Sequence, residues 1–175
     1  TNLNDFTYNE ITPEQKQQAQ QLYSQYLDTI FPDSKVKDIL YHGGTIDKNS
    51  KFDKNFIGKS NHPFTIKEVE GFFFGVDRWS VEEDYGKYVT VIINAKNINI
   101  QKREDAIKGK KGNYDAIYSE GLYVVFEPEQ IHILGSKQDI EGFKKWKQVN
   151  NYQQKSSVET RPSDEKLNKK IATLL

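Results

Sequence analysis

The chain has 175 residues, enough for one ordinary domain with its own core, and 35% of them are hydrophobic against 29% charged. Its 25 basic and 25 acidic side chains cancel, which removes any global attraction to nucleic acid or to an anionic membrane. No apolar run approaches the roughly 20 residues of a membrane-spanning helix, the lack of cysteine excludes disulfides and thiolate–metal sites, and His42, His62 and His132 are scattered without metal-ligand spacing.

Residues 1–11 read as an unstructured lead without the basic-then-apolar pattern of a secretion signal. Thr12-Pro13-Glu14-Gln15 reads as a helix start: threonine caps, proline fits the first turn, and glutamine completes a capping box. Leu22, Tyr23, Tyr26, Leu27 and Ile30 follow at helical spacing on one face, until Phe31-Pro32-Asp33 ends the helix. Val36–Tyr41 reads as the first strand and runs into Gly43-Gly44. Residues 46–70 are polar, with Phe52, Phe56, Ile57 and Phe64 interspersed; a loop of this length inside a domain is often functional. Phe72–Val76 is a short apolar strand. Ser80-Val81-Glu82-Glu83 is a second capping box, opening a short helix that ends near Tyr85-Gly86. Tyr88–Ala95 reads as a central strand, which Asn97–Gln101 extends or follows, and residues 102–113 as a charged surface loop. Tyr114–Tyr118, Leu122–Phe126 and Gln130–Leu134 are three short strands punctuated by Gly121 and Pro128. Ser136–Asp139 is a third capping box before an amphipathic helix carrying Ile140, Phe143 and Trp146. Residues 150–165 have the composition of a linker, and Leu167–Leu175 reads as one more short helix. Helix first, then short strands, then helix, with no repeated βαβ unit, predicts an α+β fold. Its expected form is a split pair of small, mainly antiparallel sheets, flanked by an N-terminal and a C-terminal helix, over residues 12–149.

Three segments stand out chemically. Tyr41-His42-Gly43-Gly44-Thr45 puts an imidazole and two glycines at a strand end. Glycine lets a ligand approach the backbone, whose N–H and C=O together match a carboxamide, and an imidazole beside them can donate to a ribose hydroxyl. Read alone, the segment is more simply a Gly-Gly turn with an exposed histidine. Gly71-Phe72-Phe73-Phe74-Gly75 is most simply a buried strand, but Phe73 faces opposite to Phe72 and Phe74, so one face packs inward while the other is free to line a cleft. Ser80 reads as a helix cap first and a ligand contact second, and Tyr85 closes the helix behind it. The third segment is Leu122-Tyr123-Val124-Val125-Phe126-Glu127-Pro128-Glu129-Gln130-Ile131.

In that order and spacing the three segments resemble the motifs of ADP-ribosyltransferases of the diphtheria-toxin and poly(ADP-ribose) polymerase type, and most nearly the compact version embedded in phage polyvalent proteins. The likeness runs from about Ile11 to Trp146. It implies NAD as substrate, held in a cleft between the two sheets. It further implies that His42 binds the adenosine ribose, that Gly43 pairs with the nicotinamide amide, and that Phe73 and Tyr85 sandwich the nicotinamide ring, Phe73 replacing the family's tyrosine. Gly44 stands where the family has threonine or serine, and Thr45 comes one residue late.

The family also places a glutamate just before its Tyr-Val-Val-Phe strand, to bind the nicotinamide-ribose 2′-hydroxyl and stabilise the positive charge that develops as nicotinamide leaves. Leu122 occupies that position here. Two residues earlier, Glu120 would share the face of Leu122 by strand parity, roughly 7 Å along the strand, and Gly121 would permit the bend that brings it into place; an exposed loop glutamate is the competing reading. The expected catalytic set is therefore His42, Phe73 and Glu120. The expected NAD contacts are His42, Gly43, Gly44, Thr45, Phe73, Ser80, Tyr85 and Leu122, with no metal. The implied activity is mono-ADP-ribosyl transfer from NAD to a macromolecular acceptor, in the first place a protein. The alternative is a degenerate NAD-binding or protein-interaction module of a phage-type polyprotein, in the host cytoplasm or packaged in the virion. A nucleic-acid acceptor would need a local basic patch such as Lys102-Arg103 with Lys108, Lys110 and Lys111.

Overall fold

Strands alternate faces, and that alternation sorts this chain's aromatics into two layers on either side of a single sheet. The computed structural model describes residues 13–59 and 69–159. Its strands are β1 (Leu40–Gly43), β2 (Phe72–Gly75), β3 (Tyr88–Ile93), β4 (Ile98–Ile100), β5 (Ala116–Ser119), β6 (Leu122–Val125) and β7 (Ile131–Ile133). They form one seven-stranded sheet in the order β4-β5-β6-β2-β1-β3-β7. Every pairing is antiparallel except β4 with β5. The α+β class is as expected; the division into two small sheets is not. The halves β4-β5-β6-β2 and β1-β3-β7 are joined by the pair Tyr41↔Gly75, a narrow seam beside the four-residue registers that link β2 to β6 and β1 to β3.

On one face Leu40, Phe72, Phe74, Val89, Val91, Ile93, Ala116, Val125 and Ile133 pack with Val36 and Ala95, and Phe52 and Ile57 close over them. On the other, Ile117, Val124 and Phe126 pack with Ala106, and Phe73, Tyr114 and Leu122 are half-buried against them. Burying a side chain of this size stabilises by about 1.5–3 kcal/mol, so the first face carries most of the fold.

Among the described residues the α-helices are α1 (Pro13–Ile30), α2 (Arg78–Tyr85), α3 (Arg103–Ala106) and α4 (Lys137–Glu159). The cap expected at Thr12, the lead 1–11 and the helix expected at 167–175 lie outside the described residues. β1 starts later than its apolar run suggests because Ser34 claims the preceding backbone. Its hydroxyl donates to Ile93 C=O at 2.8 Å and accepts from Ala95 N–H at 3.0 Å, so residues 34–36 are tied to the end of β3 by a side chain. Helix α2 is capped by Asp77, not Ser80: the Asp77 carboxylate accepts from the N–H groups of Trp79 and Ser80. At α4 the expected cap is present, with Asp139 N–H donating to Ser136 Oγ at 3.1 Å. That helix continues through Glu159, where composition suggests a linker. The chain divides after Asp139, and from Ile140 onward α4 belongs to a second unit. There Phe143 and Trp146 stack at 6.2 Å. Among the described residues no helix is long and apolar enough to cross a membrane.

β5 and β6 are joined by a two-residue hairpin, Ser119↔Leu122, whose tip is Glu120 (φ 43°) and Gly121 (φ 83°). Two positive φ values in succession fit the primed turn that matches strand twist, a turn that prefers Asn-Gly. Glutamate at the first position is strained. Glu120→Asn should therefore raise stability by about 0.5–1 kcal/mol, seen as a higher denaturant midpoint with an unchanged slope.

Candidate functional site

The seam between β1 and β2 is where backbone groups are left over. Gly44 N–H donates to Lys87 C=O at 3.1 Å. Antiparallel ladders alternate, so His42 also bonds β3, while the amide and carbonyl of Tyr41 and Gly43 point toward β2. Tyr41 finds Gly75 there. In the same register Gly43 would meet Phe73, but the ladder has stopped, because the Phe73 carbonyl is held by the His42 imidazole, with Nδ1 2.7 Å away. A side chain has replaced a ladder bond. Gly43 thus lies beyond the last paired register of β1 and β2, with its N–H and C=O directed toward β2.

That bond fixes the imidazole. A carbonyl only accepts, so Nδ1 carries the proton and, in the neutral ring, Nε2 is an acceptor. The ring lies edge-on to Phe52 at 5.0 Å and beside Phe74 at 5.4 Å. Desolvation lowers the His42 pKa from its ordinary value, against the opposing pull of the Phe73 carbonyl. The neutral ring of His42 thus presents an acceptor at Nε2, where the sequence alone suggested a donor.

Tyr85 covers Gly43 on the second face: a Cβ at Gly43 would stand 2.7 Å from Tyr85 Cβ. The ring is 43% exposed, so it is both seated and reachable. Phe73 projects to the same face, as alternation predicts. Its ring packs on Gly109, where an added Cβ would stand 2.9 Å from Phe73 Cζ, and joins the cluster of Ala106, Ile117 and Val124. His42, Gly43, Phe73 and Tyr85 are therefore brought together around the seam, His42 on one face of the sheet and the two rings on the other.

The remaining expected residues fall elsewhere or are committed. Gly44 (φ 134°) continues past the strand, and Thr45 is exposed beyond it. Ser80 donates its hydroxyl to Asp77 at 2.6 Å and is exposed. Leu122 packs with the apolar second-face cluster. Glu120 corrects the parity argument: it sits in the turn, not the strand, and lines an open depression with Lys102, Arg103, Glu104 and Ile107. Glu120 therefore does not share the strand face of Leu122.

Three features escaped sequence reading. Phe52 wedges the imidazole, and its only signal was an aromatic in a polar loop. Ser119 lies opposite Leu122 with a buried hydroxyl that has no partner. Asp139, read as a cap residue, is the hub of a buried network. It accepts from Tyr23 OH at 2.5 Å, His132 Nε2 at 2.6 Å and Gly135 N–H at 2.8 Å.

No family model matches the chain, and no curated protein matches it. The ADP-ribosyltransferase likeness rests on the order and spacing of the sequence motifs alone.

The packing of His42 gives it a share in the stability of the fold. His42→Ala should cost about 2 kcal/mol, from the lost contacts with Phe52 and Phe74 and the freed Phe73 carbonyl. The pH dependence has a definite sign. A depressed histidine pKa means the unfolded chain binds the proton more readily, so this contribution is complete above about pH 6.5 and declines as pH falls toward the folded value. Denaturation midpoints between pH 7.5 and 5.5 should fall for wild type and fall less for His42→Ala.

Proposed function

We propose that this chain is an ADP-ribosyltransferase-type domain that binds NAD at the β1–β2 seam through its nicotinamide carboxamide. The observation that supports the reading is Gly43: strand alternation turns its N–H and C=O toward β2 beyond the last paired register, beside the Phe73 carbonyl that His42 holds and under the side chain of Tyr85. A primary carboxamide offers the complementary acceptor and donor. Tyr85 would stack on the pyridine ring, which needs a π face and not a hydroxyl. His42 Nε2 would accept from a ribose hydroxyl.

Transfer of ADP-ribose to a protein asks more of the site, because breaking the nicotinamide–ribose bond builds positive charge on the sugar. Leu122 cannot stabilise that charge, and Glu120 is held at the hairpin tip among Lys102, Arg103 and Glu104. Binding is thus better supported than catalysis. Isothermal titration with NAD tests the first claim, and wild type should bind. Nicotinamide release tests the second: wild type should be slow or silent, Glu120→Gln should change nothing, and Leu122→Glu, which restores a carboxylate on the Phe73 face, should raise the rate. A chain that gives no heat with NAD while keeping its fold would sink the binding reading. Rapid release abolished by Glu120→Gln would instead show that the hairpin tip supplies the catalytic group.

A further inference from the structure

The first sheet face is open at one corner. Its registers run Ile100, Tyr118, Tyr123 and Phe74 side by side across β4, β5, β6 and β2. Phe74 is fully buried, the two tyrosines are half-buried with their rings 4.6 Å apart, and Ile100 on the edge strand is 77% exposed. The row carries apolar surface out to the sheet edge and stops there uncovered. The backbone stops in the same way. Asn97 C=O accepts from Ala116 N–H and Gln101 N–H donates to Tyr118 C=O, so alternate residues of β4 spend their groups on β5. Alternation turns the N–H and C=O of Ile98 and Ile100 outward. Among the described residues these groups have no partner.

We propose that β4 takes an added strand: an extended peptide segment of another protein, apolar and acidic at alternate positions, that pairs with Ile98 and Ile100. Strand addition draws its affinity from main-chain bonds and its selectivity from alternate side chains. Here an apolar side chain of the incoming strand would continue the row beyond Ile100. Charge selects the partner. Lys102 and Arg103 follow the strand at once, and among the described residues neither has a carboxylate at ion-pair distance, although Glu104 and Glu120 line the same depression. At the other end Lys96 is half-exposed and meets only the exposed Asp33, at 3.3 Å. Cations at both ends of a short edge strand discourage a basic or identical edge. The antiparallel register that sets Ile98 against Ile100 of a second copy also sets Lys96 against its Lys102. Carboxylates on an incoming strand meet attraction at both ends instead. The surface is independent of the NAD reading, since β5, β6 and β2 separate it from Gly43.

The experiment titrates the full chain into a short fluorescein-labelled peptide of alternating glutamate and valine and follows its anisotropy, with no NAD present. Wild type should bind this peptide and ignore its counterpart of alternating lysine and valine. Two further copies of the acidic peptide are N-methylated at every second residue, one in each phase. Only every second residue of an added strand faces β4, so one copy should lose binding and the other keep it. Ile100→Pro removes an outward N–H without touching a bond to β5, and should weaken binding about tenfold. Lys102→Glu combined with Arg103→Glu should weaken it by a similar factor. Thermal unfolding checks that each variant is folded, and the methylated pair makes the same test on wild type alone. A wild type that ignores the acidic peptide, takes the basic one equally well, or binds both methylated copies as tightly as the parent overturns the proposal. A dimer in sedimentation that Ile100→Pro dissolves also overturns it, because the edge then belongs to a second copy.

Discussion

Asp139→Ala should destabilise the protein by about 3–5 kcal/mol, enough to halve the stability of an ordinary domain. The carboxylate is 1% exposed and takes three donors from three places: Tyr23 on α1, His132 on β7 and the Gly135 amide ahead of α4. Tyr26 adds a bond to the Asp139 backbone carbonyl at 3.2 Å. Removing the carboxylate leaves two part-buried side-chain donors and an amide without their acceptor. That penalty exceeds the modest net worth of the bonds themselves. Burial pushes the Asp139 pKa up, but the bonds from His132, Tyr23 and Gly135 together outweigh it and hold the group below its ordinary value. Burial also raises the Tyr23 pKa, with the Asp139 bond adding to it, so Tyr23 remains a donor. A depressed carboxylate pKa gives stability that is present above about pH 4 and is lost as pH falls through the folded value. Urea titrations at pH 7 should show the full loss for Asp139→Ala, about 1–2 kcal/mol for Tyr23→Phe, and a smaller gap between wild type and Asp139→Ala at pH 3. A near-neutral Asp139→Ala at pH 7 would mean that the network is not formed.

What could be read from the chain, and what could not, follows from range. Helix α1 was legible because Tyr23, Tyr26 and Ile30 repeat at the helical period within one segment. The opposite facing of Phe73 against Phe72 and Phe74 was legible because strand alternation is local geometry. The Asp139 network was not: Tyr23 and Asp139 are 116 residues apart, and a cap signal gives no sign that the carboxylate turns away from its own helix. Joining two expected sheets into one likewise depends on a single pair, Tyr41↔Gly75, which no local pattern announces. Glu120 was misplaced for a different reason. Strand parity was carried through a residue that lies in the turn, because glutamate is a rare occupant of positive φ and disguises a two-residue hairpin. Around the site, the motif residues His42, Gly43, Phe73 and Tyr85 were all named in advance. What ties His42 to Phe73, an imidazole taking a carbonyl that a sheet bond would otherwise hold, is a tertiary event.

Gly43→Ala is the substitution that separates this arrangement from a simple Gly-Gly turn. A turn would tolerate a methyl group. Here the methyl would meet the Tyr85 side chain at its stem, 2.7 Å from Cβ, so rotating the far end of the ring gives no relief and α2 itself must shift. Forcing a methyl into such a contact costs about 1–3 kcal/mol of stability. It also lifts Tyr85 off Gly43, and so removes the stacking ring from the proposed carboxamide site. Losing both should weaken NAD binding by roughly 2–3 kcal/mol, about a hundredfold. Gly86→Ala is the control. Gly86 ends α2 at φ 70°, with nothing within 4 Å of an added Cβ, so alanine there meets strain without a clash. It should cost about 1 kcal/mol of stability and leave NAD affinity unchanged. Equal stability losses from the two variants, with NAD binding intact in both, would mean that Gly43 serves only backbone conformation and that the ring of Tyr85 does not sit on it.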